Sequence, residues 1–415
     1  LMNNLKYSNT VLINLIIASI IPFLIWGPFF PDLIVSVSAL FFLYYVFKNK
    51  NFYYFFNKPL IIFFIFCIYC ILISLFIAED ILLSFESSLF YFRIGVFSCF
   101  IWYLIDKDKS ILTYFYYALI LCFLALVIDG YFQYFTGENL LGFKIRGIRV
   151  SSFFGDELIM GSYLSRLFPL LFALFLARQK LKFESYFIWL LFILVDVLIF
   201  MSGERTAFFF INLSTLFIII LIKEYQKLRV ATFIIATICI IVLSLNSSNL
   251  RDRMFIETAE NIWLIKKSKE LVIFSPVHNN LIRTAYNIFK DQPILGNGPK
   301  MFRVLCKDKK YTVGKESCKT HPHNFYAQLL AETGIIGFLF LFITFSYVVH
   351  AAFRQFKSII FKQKRPLTDY QICLLAGILI TVWPFSPNGN FFHNWLMITY
   401  SLPVGFYLQS IYSKK

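Results

Sequence analysis

Twelve apolar stretches recur along the chain, each close to the length that crosses a lipid bilayer as a helix, and this limits the fold more than any motif does. They lie at approximately 11–30, 32–47, 60–77, 86–105, 111–129 and 158–177. Six more follow at 184–201, 205–222, 229–245, 324–350, 369–385 and 390–412, the second and eleventh of the twelve being among the shortest. Of the 415 residues 59% are hydrophobic and only 15% charged, too few to solvate a globular surface of this size. The mean hydropathy of +0.71 agrees, and no soluble class fits. The expected fold is an all-α polytopic membrane protein of about twelve transmembrane helices. No small-residue cleavage site follows the first apolar run, so it reads as a retained span and not as a signal peptide.

Lys and Arg gather at the cytoplasmic ends of membrane helices and so set the orientation. With the N-terminus in the cytoplasm, the inward connections hold Lys48, Lys50 and Lys58; Lys107 and Lys109; Arg178, Lys180 and Lys182; Lys223, Lys227 and Arg229. The tenth connection adds Arg354, Lys357, Lys362, Lys364 and Arg365, and the C-terminus adds Lys414 and Lys415. The short outward connections carry Asp32, Glu79 and Asp80, with Arg205 as their one basic residue. Both termini are therefore expected in the cytoplasm. Orientation accounts for much of the net charge of +16, so a nucleic-acid partner is not expected.

Two outward segments are long. Residues 130–157, punctuated by Gly130, Gly137, Gly142, Gly147 and Gly155, read as a structured loop. Residues 246–323 are large enough for a small fold of their own and carry 14 Lys+Arg against 7 Asp+Glu. Two readings of that excess stand: a solvated, mildly basic loop, or an electropositive lid or funnel for an anionic ligand. The chain thus divides into 1–245 with nine helices, the large outward loop 246–323, and 324–415 with three helices. Cys67, Cys70, Cys99, Cys122, Cys239 and Cys373 fall within spans and read as packing residues. Cys306 and Cys318 are the one pair in the large outward loop, and on an oxidising side they are expected to form a disulfide.

The polar chemistry converges on His321-Pro322-His323-Asn324, after which an apolar run begins at Phe325. Asn324, Gln328 and Glu332 recur every fourth residue and so share one helix face, and Gly334 and Gly337 permit close helix approach. A helix cap with small-residue packing would account for a lone His-Asn pair. A polar stripe descending into a span points instead to a site, because uncompensated polar groups are costly there. Arg93, Arg166 and Asp196 are ionisable residues inside spans, all expected in the outer half with Arg205 and His323. A snorkelling side chain or an ion pair, such as Asp196 with an arginine, is the structural reading for any one of them. Together they suit a phosphorylated lipid. Arginine's planar fork matches phosphate oxygens, fixed cations can neutralise a diphosphate leaving group, and a histidine can accept the proton of an attacking hydroxyl. Glu138, Asp156 and Glu157 are spread through one loop, and no Cys–His arrangement resembles a zinc site, so a metal-independent transfer without a cofactor is expected.

These residues resemble a family. His323-Asn324, nine residues, Gly334, two residues and Gly337 is similar to the hallmark of the O-antigen ligase family of bacterial envelope glycosyltransferases. Asp129-Gly130-Tyr131-Phe132-Gln133-Tyr134-Phe135, Gly161 to Arg166, Ser202 to Thr206, and Arg283 through Pro293 to Gly298 are also similar to its pattern, so the resemblance covers roughly residues 60–410. It implies a C-type glycosyltransferase (GT-C) architecture in the bacterial inner membrane, with the active site facing the periplasm. The implied donor is an undecaprenyl-diphosphate-linked glycan, passed en bloc to the lipid A-core in ligases or to another glycan repeat in polymerases. By the same resemblance Arg205 and Arg283 bind the diphosphate and His323 is the base or the orienting group for the acceptor. Arg166 and Arg149 take auxiliary electrostatic roles. His321 and His278 are open to a structural reading, and His350 and His393 have no counterpart.

Three function classes remain in view: transfer by a ligase or repeat-unit polymerase, a lipid-linked glycan flippase or exporter, and a structural scaffold. Transport would spread ionisable residues along the whole membrane path, whereas here they concentrate at one leaflet beside a large loop. The stripe of Asn324, Gln328 and Glu332 speaks against a scaffold.

Overall fold

The computed structural model describes residues 2–178, 182–261 and 274–413, and among them no strand forms beyond two isolated bridges. Lys180, Lys414 and Lys415 of the expected cytoplasmic charges, and 262–273 of the large outward loop, lie outside the described residues. The chain opens with α1 (Met2–Ala18) and α2 (Ile20–Trp26). Pro22 separates them: its ring crowds the carbonyl four residues back, that of Ala18, where α1 stops. There follow α3 (Phe29–Asn49), α4 (Lys58–Phe76), α5 (Ile81–Leu89), α6 (Phe92–Lys107) and α7 (Ser110–Thr136). Next come α8 (Met160–Ala177), α9 (Lys182–Met201), α10 (Arg205–Leu221) and α11 (Gln226–Asn246). The large loop contains α12 (Ser248–Arg251), a π-helical turn Asp252–Ile256, α13 (Glu257–Asn261), α14 (Pro276–Asp291) and α15 (Phe302–Leu305). The last three are α16 (Phe325–Ile360), α17 (Asp369–Thr381) and α18 (Asn394–Tyr412).

Each of the twelve apolar stretches contains helix, and among the described residues eight helices, with Ile81–Lys107 (α5 and α6) counted as one, are long and apolar enough to cross a membrane. Thr10–Trp26, Arg205–Leu221 and Asp369–Thr381 are shorter apolar helices. The expected stretch 369–385 ends early, at Thr381, because Pro384 and Pro387 follow it and a proline keeps its predecessor out of helical geometry. The segment 382–393 consequently runs as non-helical chain between α17 and α18. α7 outlasts its expected end by seven residues and stops at Thr136 with Gly137 in the left-handed region (φ +89°), so the structured loop is 137–159 instead of 130–157.

α8 lies at the centre, packed on α7, α9, α10 and α17, with Tyr163, Phe168 and Phe172 fully buried. Beside it, Arg229 on α11 is completely buried and forks onto Asp196 of α9 (2.9 and 3.3 Å), with Thr232 and Thr215 also accepting from Nη1 and Nη2 while Nε is left without a partner. The sequence places Arg229 among the loop charges; the structure puts it in the bundle, where α11's first turn faces α9. Arg93 likewise pairs with Asp32 at 2.5 Å. The described part of the large loop builds a second small core of Leu281, Ala285, Ile288, Phe302 and Tyr311, to which Ala331 of α16 contributes.

Candidate functional site

The site is assembled around the start of α16. Asn324 caps that helix, its side-chain oxygen accepting from Ala327 N–H (3.0 Å), while its amide nitrogen donates to the carbonyls of Pro384 (2.9 Å) and Ser386 (3.3 Å). His323, just before the cap, has φ +56°, an uncommon conformation for a residue with a Cβ. Its carbonyl accepts from Asn388 N–H at 2.8 Å, so the 382–393 segment holds it in place.

The polar stripe continues this tie and does not line the cavity described below. Gln328 donates to Asn390 (2.8 Å) and Glu332 (3.0 Å) and accepts from Phe391 N–H (2.9 Å); Glu332 accepts from Phe302 N–H (3.3 Å). Asn324, Gln328 and Glu332 are thus the struts that fix two loops to one helix. Their expected place in the site is corrected to that extent: the face they share looks toward these loop backbones.

α16 breaks at Gly334, whose φ +59°, ψ −164° lies in a region essentially confined to glycine. The break frees carbonyls that the loop 293–298 uses. Gly298 N–H donates to Glu332 O (2.7 Å), Asn297 N–H to Ala331 O (3.3 Å), and Ile335 N–H returns a bond to Pro293 O (2.9 Å). A Cβ on Gly334 would collide with the Ile294 carbonyl.

A cavity of about 1080 Å³ opens where α8, α10, α14 and α18 begin and α16 is entered. Arg149, Arg166, Arg205, Arg253 and Arg303 line it, against the carboxylates Glu157 and Glu204. Glu204 is already engaged: it accepts from Gly161 N–H (2.6 Å), Ser162 N–H (3.0 Å) and the Ser162 hydroxyl (2.7 Å), at the positive N-terminal end of α8. Arg205 faces Glu257 loosely, at 3.8 Å. Arg166 is only 5% exposed, lies between the rings of Phe210 (4.7 Å) and Tyr400 (4.9 Å), and donates to Asn388 Oδ1 (3.1 Å). Its Nε and Nη1 have no partner, and it makes no ion pair among the described residues. Buried donors left unbonded are costly, which marks this corner of the cavity as built for an acceptor-rich or anionic group.

Imidazoles line the same cavity. The His321 and His323 rings lie 4.1 Å apart, centre to centre, and His278 lies 5.2 Å from His323. The Nδ1 atoms of His278 and His321 face the hydroxyls of Ser275 (3.1 Å) and Thr320 (2.9 Å). Burial, with neighbouring positive charge, pulls His278 down to about 4 and His321 to about 3. Burial and Lys319 also lower His323, partly opposed by its bond with Asn388. The cluster is therefore neutral at pH 7, and a neutral ring accepts a proton. Among the described residues no group of three His, Cys, Asp or Glu side chains could hold a metal ion.

Of the residues singled out in the sequence, His323, Arg205, Arg166 and Arg149 meet in this cavity. Arg283 does not: α14 buries Leu281, Thr284, Ala285 and Ile288 on one face, and position 283 points away, exposed. Cys306 and Cys318 form a disulfide (Cα–Cα 5.0 Å) three residues before His321. Arg253, Arg303 and His393 line the cavity without having been singled out; no local pattern distinguishes them from other loop charges.

A model of the O-antigen ligase family matches residues 186–342, from α9 into α16. The matched stretch is less than half of the chain, and over it the chain is similar to the O-antigen ligase family. His323, Arg205, Arg253, Arg303 and Gly334 fall inside the matched stretch; Arg149, Arg166 and the 382–393 segment lie outside it. No curated protein matches the chain.

Proposed function

We propose that the chain transfers a glycan en bloc from undecaprenyl diphosphate to an acceptor hydroxyl, the lipid A-core in a ligase, at the periplasmic face of the bacterial inner membrane. The observation that carries this reading is one chamber at the helix starts that holds a neutral His323 against a wall of arginines. In this reading the twelve apolar stretches all cross the membrane in a GT-C arrangement, with both termini cytoplasmic, and 246–323 is the periplasmic loop over the site.

The acceptor oxygen attacks the anomeric carbon of the donor while its proton passes to the neutral His323 ring. The bond from that carbon to the diphosphate oxygen breaks, and the electron pair leaves with the lipid diphosphate. Arg205 neutralises the departing charge, with Arg166 and Arg149 adding fixed positive potential, so no solvent needs to reorganise at the moment of bond breaking. The imidazolium then releases its proton to water. No step requires a metal or an organic cofactor.

A repeat-unit polymerase uses the same leaving group and the same residues. Purified protein reconstituted with a lipid-diphosphate glycan and two competing acceptors, lipid A-core and a second lipid-linked repeat, separates them. Product on the core establishes a ligase, and a ladder of lengthened glycan a polymerase. Donor binding without either product would overturn transfer in favour of transport.

A further inference from the structure

One cation of the cavity comes from α15 of the large loop and not from the start of α10. Arg303 lines the cavity from that short helix, and its neighbours in sequence fix it there. Phe302 is fully buried in the small core, and its N–H donates to the Glu332 carboxylate of α16 (3.3 Å). Cys306, three residues after Arg303, is joined by the disulfide (Cα–Cα 5.0 Å) to Cys318, three residues before His321. A core side chain, a hydrogen bond and a covalent bond thus tie Arg303 to the segment that enters α16 with His321 and His323.

The charge so placed is not cancelled. Among the described residues the Arg303 side chain makes no ion pair, and its buried Nε has no hydrogen-bond partner. His321 is in the same state: Nδ1 meets the Thr320 hydroxyl at 2.9 Å, and the buried Nε2 has no partner. With Nδ1 accepting from that hydroxyl, Nε2 carries the proton and is a second unused donor. Buried donors without acceptors are costly, so this part of the cavity is short of an oxygen-rich group. It is also electrostatically distinct from the start of α10. After burial, the charges that lower His321 are those of His323, Arg303 and His393, whereas for His278 they are those of His323, Lys319 and Arg205. His323 is the ring that both others touch, at 4.1 and 5.2 Å. The third member, His393, lines the cavity from the residue before α18.

We propose that Arg303, with His321 and His393, forms an acceptor subsite that binds an anionic substituent, a phosphate or a carboxylate, on the glycan that presents the attacking hydroxyl. The inference rests on the glycan-transfer reading: there Arg205 attends the leaving diphosphate, and the attacking hydroxyl needs a place of its own at His323. An arginine fork holds either oxyanion by paired N–H···O bonds, and a neutral imidazole adds a single donor. The subsite would make the acceptor's charge, and not only its sugar, a condition of transfer.

Full-length protein in nanodiscs is given the lipid-diphosphate glycan and, in turn, lipid A-core and a second lipid-linked repeat. Each acceptor is offered intact, after phosphomonoesterase treatment, and after reduction of its carboxylates to alcohols. Initial rates give KM for each form, and thermal unfolding is recorded for each variant. For the acceptor that is used, one treatment should raise KM by about tenfold or more, the loss typical of a charged hydrogen bond. Which treatment does so distinguishes phosphate from carboxylate. R303Q should abolish the difference by raising KM for the intact acceptor. If R303Q does not fold, R303K decides: it keeps the charge and loses the paired fork, so its preference should fall several-fold, and wild-type preference overturns the inference. Equal KM for all three forms, or a folded R303Q that keeps the preference, overturns the inference and leaves the transfer reading intact. So does an R303Q that weakens donor binding and spares the acceptor. Donor binding without transfer to either acceptor overturns the transfer reading and the inference with it.

Discussion

At His323 the backbone and the ring are governed by different neighbours. The backbone is held at φ +56° by the bond from Asn388 and by the Asn324 cap that follows, whereas the ring sits among imidazoles and below Lys319. His323→Ala should therefore keep the fold and lose transfer by about 10²–10⁴-fold, the usual contribution of a positioned general base. Reconstituted transfer, read beside donor binding, checks this, and wild-type turnover would remove His323 from the chemistry. The lowered histidines also set a pH dependence. The transfer rate should stay flat through neutral pH and fall only below about 6.5, as His323 protonates at its depressed value. Stability has the same sign. His278 and His321 titrate near 4 and 3 when folded, so between those values and the ordinary 6.5 the unfolded chain binds more protons. Stability is full above 6.5 and lost as pH falls through the folded values, which thermal unfolding in detergent across pH 4–8 would register.

At the scale of elements, α16 is two helices in one. Its first nine residues, before Gly334, bridge two cores, Ala331 joining the small core of the large loop and Phe325, Tyr326 and Leu329 the main one, and the rest is the apolar helix. The break offers unpaired carbonyls to the 293–298 backbone, so the loop is fastened by main-chain bonds that no surface substitution can remove. Gly334→Ala places a side chain in glycine-only backbone space and against the Ile294 carbonyl, and should cost at least about 1–3 kcal/mol. A lowered Tm together with proteolytic sensitivity in 274–323 would show it; an unchanged Tm would mean that the break relaxes to helix. Close helix packing, the reason the sequence suggests for both small residues, holds at Gly337, where a Cβ would lie 3.3 Å from Phe66 of α4, but not at Gly334, which serves the break. The break itself is legible only once the partner loop is seen.

Across the whole molecule, long-range pairing decides which charges are structural. Asp196 and Arg229 lie 33 residues apart in sequence and meet inside the bundle. Asp196→Ala leaves a buried guanidinium uncompensated and should destabilise by about 3–5 kcal/mol, whereas Asp196→Leu with Arg229→Met should recover most of that loss. Thermal unfolding of the three proteins in one detergent tests it, and equal Tm values for wild type and Asp196→Ala would deny the pair its role. Apolar stretches and prolines were sufficient to locate the apolar helices, though not α12–α15 of the large loop, because hydropathy and helix breaking act over a few neighbours. The same local reading singles out His323 and Arg205, which sit at helix starts and both line the cavity. Only the tertiary structure brought Arg253, Arg303 and His393 to the cavity, turned Arg283 away from it, and made struts of Gln328 and Glu332. Those outcomes depend on which face of one helix meets a segment distant in sequence. Packing settles that choice, and no spacing along the chain encodes it.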